Sequence, residues 1–262
     1  MHSVDWEKSN GQKGPKMDTT LSVALSHQVA MRRQMDIIAN NIANMSTTAF
    51  KRENVMFGEY LKEAEGDSDK SLRQISYVQD FGISRNMTDG QLETTGNSFD
   101  IALSGDGMFQ VQKNNGELAY TRNGHLALSD DYTLITSTGQ PILDQAGKTI
   151  QLPENVTDIK IASDGTISSR TAGQIAVLNV VAFADNSKLK KIGDNMFTTN
   201  SAPQPATDYT ILQGMTETSN VQAIIEVTRM IQVSRSYTST AKLMERLQES
   251  ESKAINQLAK VG

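Results

Sequence analysis

Histidine beside an acid or a nucleophile is the first chemistry to seek, because general acid-base catalysis needs a group titrating near neutral pH within hydrogen-bond reach of the moving proton. Three histidines are available. His2 lies near the start, His27 falls between Ser26 and Gln28 in an apolar-periodic stretch, and His125 follows the turn pair Asn123-Gly124. Each reads as a solvated helix face or strand edge. Zinc-type spacing is missing, and with no cysteine the chain offers no disulfide, thiolate ligand or cysteine nucleophile. Gly105-Asp106-Gly107 could cradle a phosphate, but that requires a strand running into a helix N-terminus, and the flanking pattern here is strand, turn, strand. Asp130-Asp131 and Asp164-Gly165 lack the alternating acidic register of a calcium loop, and no Gly-x-Ser-x-Gly elbow occurs. The expectation is a protein that is not an enzyme, with no cofactor and no metal.

What remains specific is Asp36-Ile37-Ile38-Ala39-Asn40-Asn41-Ile42-Ala43-Asn44, with three asparagines inside an otherwise apolar helical segment. Asparagine is a poor helix former, and burying its amide without partners costs about 1–3 kcal/mol. Asn40 and Asn44 are four apart and share a face, while Asn41 points elsewhere. The amides could therefore bond a neighbouring helix on two sides and fix its axial register. An asparagine-rich, fraying helix end is the other reading of the same residues.

These amides need long helices to carry them. The 3-4 spaced positions 21, 24, 28, 31, 35, 38, 42 and 45 hold Leu, Ala, Gln, Met, Met, Ile, Ile and Met without Pro or Gly, which predicts a helix of about 37 Å with a narrow coiled-coil-like seam. Asp18, Thr19 and Thr20 are candidate N-caps. Ser46, Thr47 and Thr48 favour a turn, because their hydroxyls compete with the helical backbone, and a second amphipathic piece follows over residues 50–61. At the other end a series runs through Val221, Ile224, Val227, Ile231, Tyr237, Ala241, Met244, Leu247, Ile255 and Leu258, with gaps at Ser234 and Glu251. That predicts a terminal helix of about 40 residues, a length typical of coiled coils and helical assemblies. Between the ends, short alternating runs sit between turn pairs: Asn115-Gly116, Asn123-Gly124, Ser137-Thr138-Gly139 and Ser163-Asp164-Gly165.

The expected fold is α+β: long N- and C-terminal helices forming a discontinuous coiled-coil-like domain, with a central, mainly antiparallel β domain. The expected boundaries are a flexible leader at 1–16, an N-terminal helical segment at 17–62, a linker at 63–75, the β domain at 76–210 and a C-terminal helical segment at 211–262. Hydrophobic residues at 37% and aromatics at 5% are lean for a compact globule but too rich for a disordered chain, so a modest core with elongated parts is expected. A net charge of −5 provides no positive field for nucleic acid. No run approaches the roughly 18 apolar residues that span a bilayer, and the start lacks the apolar middle of a secretory signal, so neither membrane insertion nor a cleavable signal peptide is expected.

The asparagine run, with Thr47-Thr48-Ala49-Phe50-Lys51-Arg52 after it, resembles the N-terminal signature of the bacterial flagellar axial proteins, the rod and hook subunits. Ser219-Asn220-Val221, Met230-Ile231, Arg235, Tyr237 and Lys242 resemble their C-terminal signature. Gly105-Asp106-Gly107-Met108-Phe109-Gln110-Val111 and Tyr120-Thr121-Arg122-Asn123-Gly124 resemble two central segments of that family. Three positions depart from its pattern: Ser46 replaces an Asn, Ala49 replaces a Gly before Phe50, and Met108 stands where an aromatic is common. If that glycine position needs a positive φ, Ala49 costs about 1 kcal/mol or the turn shifts.

The resemblance implies a structural subunit of the flagellar basal body rod that is exported through the flagellar type III apparatus and polymerises with itself and with other rod subunits. A start at Met17 and one modest β module resemble a proximal rod subunit, with distal rod and hook subunits as competitors. Leu21, Leu25, Met31, Met35, Ile38 and Ile42 are expected to pack against Val221, Ile224, Val227, Ile231, Tyr237 and Met244, within one subunit and between neighbours. Asn40, Asn41 and Asn44 would set the register, and Phe50 and Arg235 would belong to the same interface. A glycan-binding or enzymatic β module with coiled-coil arms is the reading from another class.

Overall fold

The computed structural model describes residues 16–63, 74–154, 156 and 158–261. The expected leader, apart from Lys16, and the expected linker, apart from its ends, lie outside the described residues. The chain divides into two compact units, one made of Met1–Ile37, Val55–Ile83 and Thr228–Gly262, the other of Ile38–Asn54 and Ser84–Val227. The order of elements gives an α+β fold, with one long helix near each end and antiparallel sheet between them.

The first unit takes in most of helix α1 (Lys16–Ala43), most of the paired strands Glu53–Glu63 and Gln74–Arg85, and most of helix α2 (Ala223–Val261). In α1 Ala24 and Met31, two turns apart, are covered, as is Ile37, whereas Leu25 and Val29 are exposed. In α2 Met230, Val233, Tyr237, Ala241, Met244 and Leu247 are half-buried at 3-4 spacing. Residues 50–61 do not form the expected amphipathic helical piece: Glu53–Glu63 is a strand. Val55, Phe57 and Tyr60 favour extended backbone, and Gly58 would weaken a helix. That glycine also has a packing reason, since a Cβ there would fall 1.7 Å from the Phe81 ring.

The second unit is built on a six-stranded antiparallel sheet. Its spatial order is Lys190–Gly193, Met196–Thr198, Leu118–Thr121, Met108–Gln112, Val180–Ala182 and Gln204–Pro205. Strand alternation sends Phe109, Val111, Ala119, Val180 and Met196 to one face, where they join Ile101, Leu103, Ile142 and Leu178 in the main core. Met108, Tyr120, Val181 and Phe197 point to the other face, into a smaller cluster with Leu189. The inner strands therefore carry apolar residues on both faces, as the adjacent pairs Met108-Phe109 and Val180-Val181 show, instead of the strict alternation of a sheet with one solvated face. Smaller antiparallel pairs complete the unit, among them Ile101–Gly105 with Tyr209–Gln213 and Leu92–Thr94 with Met215–Glu217.

Candidate assembly site and the polar cluster that positions it

The turn after α1 is made by its own polar residues. Asn44 Nδ2 donates to the Asn40 carbonyl at 2.9 Å and Asn44 Oδ1 accepts from Thr47 Oγ1 at 3.2 Å, which occupies groups the helix end leaves open. Ala49 then adopts φ 56, so the left-handed turn is kept despite the alanine. The residues that follow are fixed mainly by side chains. Asn41, 1% exposed, donates from Nδ2 to the Glu53 carbonyl at 2.8 Å and to Glu226 Oε2 at 3.2 Å, while its Oδ1 accepts the Glu53 N–H at 2.9 Å. Glu226, in the first turn of α2 and 1% exposed, also accepts Arg52 Nε at 2.7 Å. Asn220 Oδ1 accepts the Arg52 N–H at 2.8 Å, and its Nδ2 donates to the carbonyls of Asn86 and Thr88, each at 2.9 Å. Phe50 is buried under the Lys191 ammonium, 4.2 Å from its ring centroid.

A four-charge cluster lies beside this turn, with Lys51, Arg122 and Glu217 buried and Asp89 at its solvent edge. Lys51 Nζ donates to Glu217 Oε1 at 2.6 Å and to the Thr88 carbonyl at 2.7 Å. Glu217 Oε1 also accepts the Gly90 N–H at 2.8 Å. Arg122 spends its guanidinium on five acceptors: Glu217 Oε2 at 2.9 Å, Asp89 Oδ1 at 2.6 Å, and the carbonyls of Leu103, Gly105 and Gly107 at 3.0, 2.9 and 3.0 Å. Gly105-Asp106-Gly107 thus serves as a carbonyl rim for arginine, not a phosphate cradle. Burial pulls the Lys51 ammonium below its ordinary range, against the opposing pull of the Glu217 carboxylate. Lys191 is lowered for the same first reason, with Glu53 opposing.

The expected interface residues divide by exposure. Met31, Ile38, Asn41, Phe50 and Val221 are already covered by their own chain, and Leu21, Met35, Ile42, Asn44, Tyr237 and Met244 are half-buried. Leu25, Asn40, Ile224, Val227, Ile231 and Arg235 are exposed. The series read along α2 therefore joined two different faces. Ile224, Val227 and Ile231 form an open apolar stripe, with Ile224 83% exposed, whereas Tyr237 and Met244 belong to the half-covered one. The gap at Ser234 marks the change of face. Asn41 does bond a neighbouring helix, as its spacing suggested, but that helix is α2 of the same chain.

Sequence reasoning missed Lys51, Arg122, Glu217 and Glu226 as a set. Their signal was present: single charges set in apolar runs, as in Ile224-Ile225-Glu226-Val227, are costly to bury without a partner. For catalysis the geometry offers little. His125 Nδ1 lies 2.7 Å from Asp100 Oδ1, but no nucleophile accompanies the pair among the described contacts. Among the described residues no group of three His, Asp or Glu side chains is placed to hold a metal.

Comparison with known proteins finds three matching families. Residues 21–51 match the profile of the flagella basal body rod protein, residues 102–169 that of the flagellar hook protein FlgE/F/G D1 domain, and residues 212–258 that of the flagellar basal body rod FlgEFG protein C-terminal region. The chain is 41% identical over 248 residues to the flagellar basal-body rod protein FlgF of Caulobacter vibrioides, covering 94% of this chain and all of that one. It is 35% identical to FlgF of Rhizobium meliloti, over 92% of this chain and 98% of that one. It is 34% identical to the rod protein FlgG of Buchnera aphidicola, over 81% of this chain and 89% of that one.

Proposed function

The chain belongs to the family of flagellar basal-body rod proteins, and from that premise we propose that it is a structural subunit of the proximal rod, polymerising through its terminal helices into the shaft that transmits motor torque. The observation that carries the assembly reading is the open stripe on α2. Ile224, Val227 and Ile231 recur at helical spacing and are exposed in the single chain. Isolated helices gain little until a partner covers such a face. Leu25 and Val29 give α1 a matching exposed pair. Covered in the rod by helices of neighbouring subunits, these residues, with Asn40 and Arg235 beside them, would form coiled-coil-like contacts. Met31, Met35, Ile38 and Ile42 would brace α1 from within its own chain. Head-to-tail contacts whose rotation does not close produce a helical filament.

The partners on this reading are further copies of the chain, the other proximal and distal rod subunits, and the flagellar type III export apparatus that delivers it to the basal body without a cleaved signal. Among the described residues no helix is long and apolar enough to cross a membrane. The proximal position is favoured over a distal one by the FlgF relative that the alignment covers from end to end. Deleting the gene and imaging isolated basal bodies tests the proposal. The expected result is a rod missing from its proximal end onward, and complete basal bodies in the deletion strain would refute it.

A further inference from the structure

We infer that the buried cluster of Lys51, Glu217 and Arg122, with Asp89 at its solvent edge, is a positioning device that fixes where the chain leaves α1 and where it enters α2. Within the β unit three segments meet at this cluster: residues 49–53 after α1, residues 86–90, and residues 217–220 before α2. Among the described residues, the first and third segments are joined backbone to backbone by the Ala49 N–H to the Glu217 carbonyl at 2.8 Å and by the Asn220 N–H to the Phe50 carbonyl at 3.4 Å.

 The Asn86 N–H also donates to the Arg52 carbonyl at 2.9 Å, tying the first segment to the second, and further links run through side chains: Lys51 to Glu217 and the Thr88 carbonyl, Arg52 N–H to Asn220, and Asn220 to Asn86 and Thr88.

Buried ion pairs offset a large desolvation cost and are often no more stabilising than apolar residues of the same volume. What they add is direction, because a guanidinium fork with five acceptors admits one orientation, whereas apolar packing tolerates several. Neutral amides act in the same way. Asn41 and Asn220 use side-chain amides to satisfy the backbone of Glu53 and Arg52, so side chains set the register of this segment where it leaves the turn. Lys51 and Glu217 are the positioning residues, and Arg122 anchors them to the carbonyl rim of the sheet.

The inference rests on the rod reading only for its biological consequence, so its test uses the purified full-length chain. The paired variant Lys51→Met with Glu217→Gln removes one charge of each sign and leaves Arg122 with Asp89. The Thr88 carbonyl keeps its bond from Asn220. The expected result is cooperative unfolding of the β unit close to that of the parent, with amide exchange over residues 49–53 and 217–220 faster by roughly tenfold or more. Lys51→Arg, which can still donate to both acceptors, should bring exchange back near the parent rate. Unchanged exchange in those segments would overturn the inference. Loss of the cooperative fold in the paired variant would overturn it equally, because the cluster would then be part of the stability of the unit. A basal-body phenotype is read separately, so the rod reading and this one fail independently.

Discussion

Asn41 meets Glu53 as one strand residue meets another: its Nδ2 donates to the Glu53 carbonyl at 2.8 Å and its Oδ1 accepts the Glu53 N–H at 2.9 Å. An aspartate there could still accept the N–H, but it would set a carboxylate against the Glu53 carbonyl and the Glu226 carboxylate. Asn41→Asp is expected to lower the unfolding free energy by about 3 kcal/mol near neutral pH, measured by urea denaturation. The deficit should shrink on acidification, as the new carboxyl takes a proton and can donate. A pH-independent deficit would mean that the amide donor is not what matters.

Lys51 gives the stability a defined alkaline dependence. Its folded pKa lies below the ordinary 10.5, chiefly through burial. Between the lowered value and 10.5 the unfolded chain holds more protons, so this group makes stability rise with pH, and its penalty is fully present below the folded value. Lys51→Met should remove that rising component from the alkaline limb. Lys191 and Tyr120 titrate in both proteins, so subtracting the two urea series isolates Lys51. Identical slopes in parent and variant would contradict the assignment.

Ala49 is buried at φ 56. Ala49→Gly relieves about 1 kcal/mol of left-handed strain but loses a buried methyl of about 0.8 kcal/mol, so stability should stay within about 1 kcal/mol of the parent. Ala49→Val adds a β-branched side chain to the same backbone and should cost at least about 2 kcal/mol. Urea midpoints of the two variants check the contrast, and a tolerated valine would show that the turn can move.

Met108 lines a cavity of about 80 Å³ together with Met87, Val181 and Phe183. Met108→Phe should fill part of it and stabilise the β unit by about 1 kcal/mol, seen as a higher midpoint in thermal unfolding. A lower midpoint would mean that the ring overpacks the site.

The sequence carried the long helices clearly, because neither end is interrupted by Pro or Gly over the helical stretch and apolar residues recur at 3-4 spacing. Three of the four turn glycines were equally legible, Gly116, Gly139 and Gly165 taking positive φ, whereas Gly124 does not and owes its place to the close approach of the Ile101 carbonyl, 1.7 Å from where a Cβ would lie. Residues 50–61 misled because an apolar run around Gly58 can satisfy either period, and the strand there is paired with Gln74–Arg85, farther along the chain, which no local pattern announces. The face change on α2 was hidden for a related reason. Spacing alone cannot tell a covered stripe from an open one when both are apolar, as at Ile224 and Tyr237. The charged cluster depends on contacts such as Arg122 with Glu217, which no local pattern encodes.

The most direct measurement targets the open stripe. Ile224→Glu with Ile231→Glu alters two exposed positions, so the purified chain should keep its fold and its stability to within about 1 kcal/mol. Expressed as the sole copy in cells, the double variant is expected to accumulate normally yet leave basal bodies without an intact rod and cells that do not swim. Complete rods and normal swimming from that variant would contradict assembly through this face.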